Sequence, residues 1–196
     1  MTAQHRDLLI LGGALEDLGV LPLATHPVAR DFNFDQLNTR ASTACWRGYR
    51  GVWELLDGQL WLVGMFDTED HPMDTRPLFG DRPLPLRADW YTGTLVLLRG
   101  PRLLYAHQGV GGDYGQHLRL YLRNGVLVRQ RRYDQTRRFR QSFIGDGDEG
   151  GLDWLRRPCD RTVPPLWWLT PAGVQALGLD LADVHSDWLW RHDQDE

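Results

Sequence analysis

The chain has 196 residues, 42% of them hydrophobic and 24% charged. That composition excludes wholesale disorder, and the length buries roughly 70% of the unfolded surface without a disulfide or metal staple. The net charge is -4, all 22 basic residues are Arg, and 21 of the 26 acids are Asp; this gives no global pull toward nucleic acid or an anionic membrane.

In chain order, Leu8–Leu15 is an apolar run ending at Glu16-Asp17. It is too short to span a bilayer, and nothing after it resembles an A-x-A cleavage site. A short turn is expected over Ala14–Gly19. Two cysteines, Cys45 and Cys159, form neither a disulfide framework nor a zinc spacing, so the expected home is a reducing cytoplasm, with no cofactor and no metal.

Three hairpins are predicted. Asp57-Gly58 separates a strand at Cys45–Leu56 from one at Gln59–Phe66, and Asn124-Gly125 separates Gln116–Arg123 from Val126–Tyr133. Both dipeptides supply the positive φ pair of a tight hairpin turn. Arg99-Gly100-Pro101-Arg102 is the third expected turn, between Trp90–Leu98 and Leu103–Gln108. Leu118, Leu120 and Leu122 alternate with polar residues, as on a strand with one buried face. Leu60, Trp61, Leu62 and Val63 are apolar on both faces, as on a covered strand. Thr68–Arg87 reads as loop. Thr170 as N-cap, Pro171 at the first position and Gly178 as stop predict a helix over Pro171–Leu177.

The expected fold is therefore mainly β, or β-rich α+β: one domain over 1–196. Its core is a curled antiparallel meander of about six strands over 43–133. A C-terminal extension over 134–196, ending in an acidic tail, packs on it through Trp154, Trp167 and Trp168.

Three segment groups carry a family resemblance: Trp46-Arg47-Gly48-Tyr49 followed by Trp53-Glu54, Ala88-Asp89-Trp90-Tyr91-Thr92-Gly93, and Tyr105-Ala106-His107-Gln108-Gly109. Over Thr43–Tyr133 the chain resembles a family of small, solitary, β-rich bacterial proteins, some suggestive of immunity proteins to interbacterial toxins. The resemblance implies a protein partner, such as a cognate toxin, and supplies no catalytic residues. The Gly111-Gly112 pair and the extension after Tyr133 depart from the family pattern.

Several constellations compete for function. Arg47, Tyr49 and Trp53 share a face if Cys45–Leu56 is one strand, and such rings with Arg either grip a partner or fill core around a structural Arg–acid pair. Glu54, Asp89 and His107, on three predicted strands, are the alternative catalytic group, with His as acid/base and a carboxylate orienting it. The Gly-rich loop Gly109–Gly115 lacks the Lys and Ser/Thr of a phosphate loop and reads as a connector. Asp146–Gly151 places Arg157 where a calcium loop needs Glu.

Residues 119–140 hold eight Arg against one acid, Asp134, a local net of +7. Arg129, Arg131, Arg132, Arg137 and Arg138, with Arg47, Tyr49 and Trp53, are the expected partner-binding residues. The arginines suit an acidic protein, nucleic acid, or the chain's own acidic tail. The function expected is a protein-binding accessory module of the immunity type, with a small enzyme or a nucleic-acid binder as alternatives.

Overall fold

The computed structural model describes residues 3–34, 42–107, 112–144, 149–159 and 165–190. It divides the chain into two compact units. The larger takes in Gln4–Leu98 and Leu118–Arg131; the smaller takes in Met1–Ala3, Arg99–His117 and Arg132–Glu196.

The expected β-rich class is what the structure shows. Nine strands are described: β1 (Leu8–Leu11), β2 (Ala14–Asp17), β3 (Arg50–Leu56), β4 (Gln59–Phe66), β5 (Leu86–Arg87), β6 (Gly93–Ala106), β7 (Asp113–Arg123), β8 (Val126–Asp134) and β9 (Trp167–Leu169). They are hydrogen-bonded in the order β2-β1-β3-β4-β8-β7-β6-β9, with β5 on β4. Among the described residues three short α-helices form: α1 (Arg76–Phe79), α2 (Thr136–Ile144) and α3 (Pro171–Ala176).

Two predicted hairpins form at the residues expected. Asp57 and Gly58 have φ of 50° and 76°, and Asn124 and Gly125 have 49° and 75°. These consecutive positive angles match the twist of the flanking strands. The third hairpin does not form, because β6 runs unbroken from Gly93 to Ala106. Gly100, with φ of 73°, lies inside the strand; a Gly-Pro pair marks an irregular strand as readily as a turn.

The sheet is mixed, not wholly antiparallel. The apolar run at the start of the chain becomes β1 and β2, joined through Gly12 and Gly13 with φ of 59° and 82°. β1 then pairs parallel with β3, Leu8 opposite Val52 and Leu11 opposite Leu55. The expected turn over Ala14–Gly19 is thus mostly strand. Thr68–Arg87 also holds more than loop, since it contains α1 and β5.

The core of the larger unit gathers Leu9, Trp53, Leu60, Leu62, Leu95, Leu97 and Leu120. The smaller unit has its own, with Leu103, Phe139, Leu155, Leu169 and Val174. Burying one such Leu side chain contributes about 1.5–3 kcal/mol.

Helix α3 follows its sequence signals. The Thr170 hydroxyl oxygen accepts from the Gly173 N–H at 3.1 Å, and the same hydroxyl donates to the Arg102 carbonyl. Gly178, with φ of 79°, ends the turn. Replacing Thr170 with Ala removes the cap. The expected cost is about 1 kcal/mol, read as a lower urea midpoint with an unchanged slope.

Candidate functional site

The most deeply buried polar side chain described is Asp7, just ahead of β1 and 0% exposed. Its Oδ1 accepts from the Arg47 guanidinium and the Gly51 N–H, both at 3.0 Å. Its Oδ2 accepts from the Trp53 indole N–H at 3.0 Å. Burial pushes the Asp7 carboxyl above its usual 3.8, against the pull of Arg47 and of the two N–H donors. Its contribution to stability is therefore complete below pH 3.8 and shrinks as pH rises through the folded value.

The backbone is shaped to admit this carboxylate. A Cβ on Gly51 would stand 2.8 Å from both Asp7 Oδ2 and the Trp53 indole nitrogen. The expected strand from Cys45 starts only at Arg50. Before it, turns close through Cys45 N–H to Ser42 and Gly48 N–H to Cys45, and Gly48 has φ of 71°. The register also shifts between Val52 and Trp53. Simple alternation therefore fails over 45–53, and Arg47, Tyr49 and Trp53 do not line one strand face.

Their burial corrects their assignment as partner contacts. Trp53 is 0% and Tyr49 3% exposed. Tyr49 packs on Phe34 at 4.4 Å, under the Arg47 guanidinium at 5.2 Å, and burial pushes its phenol up. Both rings are core, and Arg47 is the partner of Asp7. A shallow cleft of about 350 Å³ opens beside them, lined by Phe32, Phe34, Trp46, Arg47 and Tyr49 among others.

The residues of the alternative catalytic group are divided between the two units, Glu54 and Asp89 in the larger and His107 in the smaller. Glu54 on β3 lies opposite Ile10 on β1 and Trp61 on β4, and Trp61 lies opposite Arg87 on β5. Asp89 is exposed and bonds Arg87 at 3.2 Å. Among the described residues no hydrogen bond joins Glu54 to Asp89. His107 lies in the smaller unit, at the end of β6, where its ring meets Trp168 edge-on at 4.5 Å and its backbone N–H donates to the Leu166 carbonyl. Next to it Arg102 sits 5.3–5.6 Å from the rings of Trp190, Tyr114 and Tyr105. Its Nε donates to the Tyr114 hydroxyl at 2.9 Å.

The Arg-rich segment divides into strand and helix. In the larger unit Arg129 and Arg131 are exposed on β8, with Arg129 5.8 Å from the Tyr121 ring. In the smaller unit Arg132, Arg137, Arg138 and Arg140 are exposed. Helix α2 begins where the Thr136 N–H donates to Asp134, and Phe139 and Phe143 anchor it. A surface hollow of about 410 Å³ beside it is lined by Arg137, Arg140, Gln141 and Ile144, with Asp134 and Thr136. Among the described residues no acid pairs with Arg129, Arg131, Arg132, Arg137 or Arg138.

Sequence reasoning missed Asp7 and Gly51, although a glycine inside an otherwise aromatic and β-branched strand is a signal of close approach. Gln108–Gly111 of the glycine loop, Asp146–Asp148 of the acidic loop and residues 191–196 of the acidic tail lie outside the described residues. Among the described residues no cluster of three His, Cys, Asp or Glu could hold a metal, and no helix is long and apolar enough to cross a membrane. No family model, curated protein or solved structure matches the chain.

Two outcomes follow from this geometry. Asp7→Ala strips a buried charge partner from Arg47 and two further N–H donors. The expected loss is about 3–5 kcal/mol of unfolding free energy by denaturant titration.

His26 is buried, and its Nδ1 accepts from the Val28 and Ala29 N–H groups at 3.2 Å each. Burial, then Arg82, hold its pKa below 6.5. As pH falls below 6.5 the unfolded chain takes up a proton that the folded one resists, so stability drops. His26→Asn keeps an acceptor oxygen without a titration and should flatten that part of the pH profile of the urea midpoint.

Proposed function

We propose that this chain is a protein-binding accessory module of the immunity type, acting in the cytoplasm by covering the active site of a bacterial toxin. The observation that carries the reading is the exposed Arg series from β8 into α2, for which the described residues offer no acidic partner. Arg holds carboxylates through a planar fork with little loss of freedom per bond, and a surface of one sign speeds capture of an oppositely charged protein. The resemblance over Thr43–Tyr133 points the same way. Two free cysteines suit a reducing compartment.

The test is a retention experiment with a mutant control. Tagged wild-type protein should retain one protein stoichiometrically from host lysate through a moderate-salt wash. The combined variant Arg131→Glu, Arg132→Glu, Arg137→Glu and Arg138→Glu, with an unchanged melting temperature, should lose it. If that protein is a toxin, co-expression of the wild type should rescue growth and the variant should not. Retention by the folded variant would move the interface away from these residues. Retention of nucleic acid, with affinity falling steeply in salt, would replace the reading altogether.

A further inference from the structure

We propose that a hollow in the smaller unit is a binding site for a small aliphatic α-amino acid, held by both its carboxylate and its ammonium group. This goes beyond the protein-binding reading and uses none of the arginines tested for it.

The hollow holds about 290 Å³, and every residue that lines it belongs to the smaller unit. One wall is the last turns of α2, through Arg140 and Ile144. The others are a 3-10 segment at Glu149–Arg156, the stop after α3, and a 3-10 turn at Leu181–Asp183. These walls are fixed from behind. Phe139, Leu155 and Val184 are buried in the core of the smaller unit, and the His185 N–H donates to the Leu155 carbonyl at 2.8 Å. A hollow built in advance lowers the ordering cost of filling it.

The lining combines two kinds of surface. Ile144, Leu152, Leu177 and Leu179 are aliphatic, and Leu152 and Leu177 are buried. Among them stand four charges, Arg140, Asp153, Arg156 and Asp183. Asp153 and Arg156 already hold each other at 3.1 Å. Among the described residues Arg140 and Asp183 have no ion-pair partner, and they do not pair with each other. One uncommitted charge of each sign therefore lines the same small space.

A ligand that answers both must carry both signs on one small body, with an aliphatic tail for the leucines. An α-amino acid has that form. A simple anion leaves Asp183 unanswered, and a simple cation leaves Arg140 unanswered. A polypeptide terminus supplies only one of the two charges. The volume lies at the lower end of small-molecule sites, which suits a ligand of this size. Gly178 leaves the backbone bare beside the leucines, since a Cβ there would meet no atom within 4 Å.

Titration calorimetry of the full chain with L-leucine should give a Kd of about 1 mM or tighter. Glycine, a zwitterion without a tail, should bind about tenfold more weakly or worse. N-acetyl-leucine lacks the ammonium and leucinamide lacks the carboxylate. Each should lose about tenfold or more, the worth of one charge-assisted bond.

Arg140→Gln should weaken leucine and N-acetyl-leucine but not leucinamide. Asp183→Asn should weaken leucine and leucinamide but not N-acetyl-leucine. Both positions are exposed, so both variants should keep the wild-type melting temperature. No leucine binding in the millimolar range would overturn the proposal. So would glycine binding as tightly as leucine, or either variant weakening all three leucine ligands alike. The protein-binding reading stands or falls separately, because the four-Arg variant of the retention experiment leaves Arg140 and Asp183 in place.

Discussion

A single buried carboxylate organises the larger unit. Asp7 ties the chain just before β1 to the Arg47 turn, to the Gly51 backbone and to the Trp53 ring, three points that simple strand geometry would not bring together. An ionised group in such surroundings is costly unless its oxygens are hydrogen-bonded, and here both accept bonds. Gly51 is the only residue type that leaves room, and the register shift after Val52 turns the indole toward the acid. Core aromatics pack around this arrangement: Tyr49 under Arg47, and Phe34 against Tyr49.

That interaction also explains which features the sequence made legible. Signals confined to two or three neighbouring residues are reliable: Asp57-Gly58, Asn124-Gly125, and the Thr170-Pro171 start with its Gly178 stop all act where they are written. Leu118, Leu120 and Leu122 alternate as expected, each buried between neighbours that are partly buried or exposed. The failures are long-range. The Gly100-Pro101 pair looks like a reversal locally, yet β6 continues through it from Gly93 to Ala106. Leu8–Leu11 carries no mark of its parallel partner, which lies at Val52–Leu55. Arg47, Tyr49 and Trp53 look like a contact face only until the turn at Gly48 and the bulge at Trp53 break the alternation.

The candidate surface was more legible than the core site for a related reason. Charge is conspicuous in a sequence, and Arg side chains exposed at β8 and α2 need no distant partner to be where they are. What composition hides is the division of that segment. Up to Asp134 it is strand, and from Thr136 it is a helix anchored by Phe139 and Phe143, so its arginines are displayed on two kinds of backbone.

The parallel pairing of β1 with β3 has a consequence during synthesis. A ribosome delivers Leu8–Leu11 well before Val52–Leu55, roughly forty residues later and a delay of about 2–8 s at ordinary elongation rates. Through that interval Leu9, fully buried in the finished protein, and the Asp7 carboxylate must wait in solution. The β1–β2 hairpin can close at once through Gly12 and Gly13, and so occupies one edge of β1 in the meantime. The other edge is satisfied only when β3 arrives, and with it Arg47, Gly51 and Trp53. Nascent-chain vulnerability should therefore centre on this early hairpin, and a chaperone that shelters short apolar strands would find its target there.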